Sequence, residues 1–305
     1  MSVQLIRKTF MSRFRGLSKY SRTVAWLIFA SYILLIVGGI VAGHLLLAKP
    51  VSATTIGLMV LVAVFIGTRL RGLNNIVHEC THYTFSGHRQ DNVTIGCLCS
   101  AILTGCFHQY RDEHLSHHAH LGDYDRDLDL KGIEDFRLHE PLTTATIIRH
   151  IATPLLGRHL RHYSGVNLSG RDGVFFQWFK FLLLFAVFIF AVFEPLTAIF
   201  FVLIPLFYIF PTLNYWTDCF DHAGIVGAED EMEASRNVLA PMPLRLLFFP
   251  RNDCFHLVHH LFPQVPARHL QAVHVELCND TAYRQQPLAV RTTRRDAANL
   301  AVDSS

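Results

Sequence analysis

Four apolar runs decide what this chain can become. Residues 24–47, 56–67, 175–193 and 196–215 are nearly devoid of charge, and a helix needs about 20 apolar residues to cross a hydrocarbon layer about 30 Å thick. The second run is short by itself. Continued through Arg69 and Arg71 to His78, it covers about 33 Å at 1.5 Å per residue. Lys49-Pro50 and Glu194-Pro195 leave room only for tight returns, so the runs pair as two out-and-back hairpins. Inside lipid each backbone N–H and C=O must be satisfied within its own segment, which makes the spans helices. Residues 93–107 are also apolar but too few to cross, and they predict a re-entrant or in-plane element. The fold class is therefore all-α integral membrane, with four transmembrane helices in two hairpins and a histidine-rich cap on one side.

Charge assigns the side. Residues 1–22 hold Arg7, Lys8, Arg13, Arg15, Lys19 and Arg22 and no acid, the mark of a cytoplasmic flank or a lipid-headgroup arm. An even number of crossings then puts both termini and the histidine-bearing segments in the cytoplasm. The first run is too long for a signal-peptide core and reads as a retained anchor. A net charge of +3 gives no case for nucleic acid. Seven cysteines without a C-x-x-C pair read as reduced thiols. The domain reading is a basic segment 1–23, a membrane domain 24–283 and a polar tail 284–305. Smaller features follow. Lys180 snorkels, Pro205 and Pro211 kink the fourth span, and residues 136–163 form a basic amphipathic helix on the membrane surface. His44, near the far end of the first span, and His150, His159 and His162, on the surface helix, are interfacial rather than ligands.

Histidine carries the chemistry. His114, His117 and His118 stand in an H-x-x-H-H pattern, which His256, His259 and His260 repeat, and His78 and His82 form an H-x-x-x-H pair. Residues three and four apart share a helix face, so each set aims its imidazoles at one point. Neutral imidazole is the commonest nitrogen ligand for Zn, Fe and Cu. Eight such ligands exceed the four that one tetrahedral metal takes, and the economical reading is two metals in one site. Asp123, Asp125, Asp127 and Asp129 follow the second set. They form a solvated turn, or one of them holds a ligating histidine. His78-Glu79-Cys80-Thr81-His82 also matches H-E-x-x-H, the zinc-protease motif, but a catalytic zinc would leave both H-x-x-H-H sets without a role. A third possibility is a membrane protein that binds metal without catalysis.

The three sets, in this order and separated by two membrane hairpins, resemble the integral-membrane fatty acid desaturase superfamily, whose members also include hydroxylases and ketolases. The resemblance covers roughly residues 24–265. It implies a non-haem di-iron centre held by these eight histidines and by His222, which matches a further ligand position ahead of the third set. It also implies O2 as co-substrate and a reaction that places a double bond in a fatty acyl or lipid chain. A hydroxylase or ketolase acting on a hydrophobic substrate is the alternative, and a membrane-embedded H-E-x-x-H protease the distant one. The chain shows no C-x-x-C-H, no G-x-G-x-x-G and no His-Pro-Gly-Gly signature. Electrons must then come from a separate donor of the ferredoxin, rubredoxin or cytochrome b5 type.

Overall fold

A computed structural model of the chain describes residues 3–227 and 231–284. Most of the polar tail read at 284–305 lies outside the described residues. Among the described residues the regular structure is helical, apart from one isolated bridge between Tyr20 and Ser86. They group into two compact units that interleave along the chain. One comprises Tyr20–Asp112 and Ile151–Tyr215, the other Met1–Lys19, Glu113–His150 and Trp216–Ser305.

The first, the span unit, is built on long apolar helices. Among the described residues, four helices are long and apolar enough to cross a membrane: Arg22–Leu47, Ala53–Thr81, Val174–Phe193 and Pro195–His222. The first two start at serines, Ser21 and Ser52, whose hydroxyls accept from Val24 N–H and Thr55 N–H and so satisfy donors that a helix start leaves open. The apolar side chains of these helices point outward, with Leu34 71 % and Phe193 76 % exposed, as lipid-facing residues must. Their inner contacts rely on small residues. A β-carbon at Gly72 would collide with the Tyr32 ring, and removing it lets two helix backbones approach closely.

The fourth span departs from the expected kinks. Around Pro205 it is wound as π-helix, over Ile199–Leu203 and Pro205–Ile209, which absorbs the missing N–H within the turn. The short apolar stretch at 93–107 does not run as one straight helix. Helices Arg89–Ile102 and Phe107–His120 meet there at a 104° bend, as in a broken span or re-entrant loop. The long surface helix expected at 136–163 is also broken. A 3-10 turn Glu134–Phe136 comes first, then helices Thr144–Leu155 and Leu160–Tyr163. Pro141 and Gly157, the latter with φ +68°, interrupt an apolar periodicity that continues past them. His150 and His159 are buried rather than interfacial, and Thr212 Oγ1 lies 3.0 Å from His159 Nε2. His44 is half exposed, with Nδ1 3.0 Å from Thr197 Oγ1.

Lys180 does not snorkel. It is buried, and its ammonium donates to the carbonyls of Gly105 and Asn167, two acceptors left open beside the 104° bend. Asp172 works from the same side: its carboxylate accepts from Phe107 N–H and His108 N–H at 2.9 and 3.0 Å and from His108 Nδ1 at 2.8 Å. It caps the start of helix Phe107–His120.

The second, the histidine unit, packs short helices on a core of its own. Helix Val3–Phe14 contributes Ile6, Phe10 and Phe14, joined by Phe255, Val258, Leu261, Phe262, Val273 and Leu277. The Phe14 ring stands edge-on to Phe262 at 5.0 Å. The basic N-terminal segment thus buries an apolar face in this unit and is more than a headgroup arm.

Candidate metal centre

Helix Phe107–His120 brings His114, His117 and His118 to one side, as the i, i+3, i+4 spacing requires. Helix His256–Leu261 does the same for His256, His259 and His260. His222 is the last residue of the span Pro195–His222. It is followed by a turn in which Gly224, at φ +81°, donates to Leu138 O and the Arg236 guanidinium donates to Ala223 O. All seven residues lie in the histidine unit, and His114, His117, His222, His259 and His260 are buried.

Their ring nitrogens converge. His118 Nε2 lies 3.0 Å from His114 Nε2 and 2.9 Å from His259 Nε2. His256 Nε2 lies 2.9 Å from His222 Nε2 and 2.9 Å from His260 Nε2. A ring nitrogen carries either a proton or a lone pair, so neither central nitrogen can donate to one neighbour while accepting from the other. His117, His222, His256 and His260 each offer a ligand atom within 4.8 Å of the others', and so do His114, His118 and His259 among themselves. The two groups share a wall, since the His118 and His260 ring centroids are 4.4 Å apart. Two neighbouring cations fit this donor set better than one does, because seven imidazoles exceed any single tetrahedral shell.

The far nitrogens fix the tautomers. His117 Nδ1 donates to Asp127 Oδ2 at 2.8 Å, and His222 Nδ1 donates to Ala234 O at 3.0 Å. Weaker approaches join His256 Nδ1 to Asp221 Oδ2 at 3.6 Å and His114 Nδ1 to Asp129 Oδ2 at 3.9 Å. A proton held at Nδ1 leaves the Nε2 lone pair free to face the cluster. Asp127, fully buried, also accepts from Asp129 N–H and Leu130 N–H. Of the four acids, this one does more than form a solvated turn. Burial, and then the like charge of His118 and His256, push His260 well below the ordinary imidazole range, which keeps it neutral as a ligand must be.

His78 and His82 belong to the span unit. They stand one turn apart at the end of helix Ala53–Thr81, with His82 as the capping residue and ring centroids at 5.6 Å. Glu79, between them, is buried. In the same unit Cys97, His108 and Asp172 also gather ligand atoms within 4.8 Å. Asp172 there is already engaged as a helix cap. Sequence reading misses Asp172 and Arg236, because each is a single polar residue without spacing to mark it, and it gives Asp221, the neighbour of His222, no role of its own.

Residues 54–292 match the family model for fatty acid desaturases. Among curated proteins, an sn-1 oleoyl-lipid 12-desaturase of Anabaena variabilis is 36% identical over 64 residues, which is 21% of this chain and 18% of that protein. The match thus spans under a fifth of the relative's length.

Proposed function

The chain belongs to the fatty acid desaturase family, and from that premise we propose that it is an O2-dependent membrane oxidoreductase that places a double bond in a lipid-borne fatty acyl chain. The observation that carries this reading is the pair of abutting histidine groups in one unit, with Nε2 atoms turned toward one another. The proposed iron ligands are His114, His117, His118, His222, His256, His259 and His260, with His78 and His82 added from their sequence spacing and the family match. Two irons on neutral nitrogens would supply the O2 activation that attack on an unactivated C–H bond requires, chemistry beyond any side-chain acid or base.

The chain's own residues do the rest. Asp127 and Ala234 O hold the protons of His117 and His222 away from the cluster. Asp221 and Asp129 stand behind His256 and His114 and offset positive charge. The outward apolar faces of the spans give a lipid substrate its medium. An acyl chain carried on a lipid is the proposed substrate, since the named relative is an oleoyl-lipid desaturase. The site and both termini are proposed to be cytoplasmic, where a ferredoxin, rubredoxin or cytochrome b5 would deliver electrons.

Two measurements test this. Metal analysis of the detergent-purified protein is expected to find two Fe per chain; one Zn without iron would revive the H-E-x-x-H protease. Mass profiling of lipids from cells making the chain is expected to show loss of two hydrogens from an acyl chain. A gain of one oxygen would assign a hydroxylase instead.

A further inference from the structure

Helix His256–Leu261 carries three of the proposed iron ligands on six residues. Isolated helices of this length do not hold their shape in water. The preceding residue, Phe255, supplies no side-chain cap, so the open backbone groups at both ends must be satisfied from elsewhere.

The N-terminal end is held by Asn237. Val258 N–H donates to Asn237 Oδ1 at 3.3 Å, and Val238 N–H donates to Cys254 O at 2.8 Å just upstream. Because a backbone N–H can only donate, the atom facing it is the amide oxygen. The amide NH2 then points to Tyr283 Oη, at 2.7 Å. Tyr283 Oη lies 2.8 Å from His274 Nδ1, and Asn237, Tyr283 and His274 are all buried. Asn237 is thus locked by its own partners before it grips the helix.

The C-terminal end is held by Arg7. Its Nε donates to Leu261 O at 3.0 Å and its Nη2 to His260 O at 2.9 Å. A planar guanidinium meets two successive carbonyls with a fixed fork, and a cation at a helix C-terminus also complements the dipole. Arg7 is positioned by the neighbours on its own helix, Ile6, Phe10 and Phe14, which are buried in the same core as Leu261 and Phe262. It lies outside the stretch that matches the family model.

We infer that Arg7 and Asn237 are positioning residues for the third histidine set, fixing the rotation and depth of helix His256–Leu261 from its two ends. This makes helix Val3–Phe14 part of the metal-binding scaffold. The inference rests on the iron reading proposed above, and two readouts separate them. The first is amide hydrogen exchange of residues 255–262 in metal-stripped protein, which needs no iron. The second is the rate at which loaded protein loses iron to a chelator. Arg7→Ala and Asn237→Ala are expected to speed exchange in that segment and to speed iron loss about tenfold, with kcat falling and KM little changed. Leu5→Ala, at an exposed position of the same N-terminal helix, is the control and is expected to leave both unchanged. Arg7→Lys, which keeps the charge but not the fork, is expected to fall between and covers the case in which Arg7→Ala does not fold. If exchange and iron loss in all three variants match Leu5→Ala, the inference is wrong. Wild-type protein that takes up no iron would instead overturn the proposed function, while the exchange readout would still decide the two-ended grip.

Discussion

Helix Arg22–Leu47 leaves Leu27, Leu34 and Val41 more than half exposed, whereas helix His256–Leu261 buries five of its six residues. The first is long and apolar through its middle, and its side-chain anchors beyond the cap sit near its ends, Arg22 on Asp91 and His44 on Thr197. The second is short and depends on bonds from Asn237 and Arg7. The difference follows from the surroundings each sequence is built for. A span in hydrocarbon satisfies its backbone internally and needs only close approach to its neighbours. A helix presenting imidazoles to a shared centre needs orientation, and orientation comes from polar contacts with fixed geometry.

The sharpest way to break this contrast is to remove a convergent ligand. His259→Ala is expected to abolish turnover while the protein remains inserted in the membrane; activity near wild type would exclude this residue from the centre. One step back, Asp127→Asn replaces the carboxylate acceptor of His117 Nδ1–H. It is expected to weaken iron binding about 10- to 100-fold, measured by competition with a chelator, with little change in membrane insertion.

Acid provides an asymmetric challenge. Burial pushes His274 down to about 4, below its ordinary 6.5. The unfolded chain therefore binds a proton first as pH falls, and the contribution of neutral His274 is full above about 6.5 and declines toward 4. The stake is up to about 3 kcal/mol. Thermal melts between pH 7 and 4 are expected to drop, and His274→Gln is expected to flatten part of that slope.

In the span unit, Lys180→Met leaves two partly buried carbonyls without this donor and is expected to cost about 1 kcal/mol. It would lower the melting temperature without changing iron content. The smallest effect is expected for Leu34→Ala on the lipid-facing side, within about 0.5 kcal/mol by melting in detergent. A large loss there would mean that this face is covered.

The spans were legible because an uninterrupted apolar run has few alternatives. The histidine sets were legible because a rare residue type recurs at helical spacing. Elsewhere the signal was local and ambiguous. The periodicity at 136–163 ran on through Pro141, Pro154 and Gly157, so one helix was read where the chain turns. Lys180 resembles any lone cation in an apolar run, and its carbonyl partners, Gly105 and Asn167, lie 75 and 13 residues away. Asp127 could not be told from three neighbouring acids. Arg7 and Asn237 have no motif at all, because their role exists only once helix His256–Leu261 is in place.

An all-nitrogen cradle has a cost in selectivity. Imidazole sets grip copper, and usually zinc, more firmly than ferrous iron, so a chain that arranges its rings before any cation arrives is open to capture by the wrong element. Correct loading must then be governed by which ions the cell keeps free. On the proposed iron reading, protein made in zinc-rich medium is expected to carry zinc and to show no turnover.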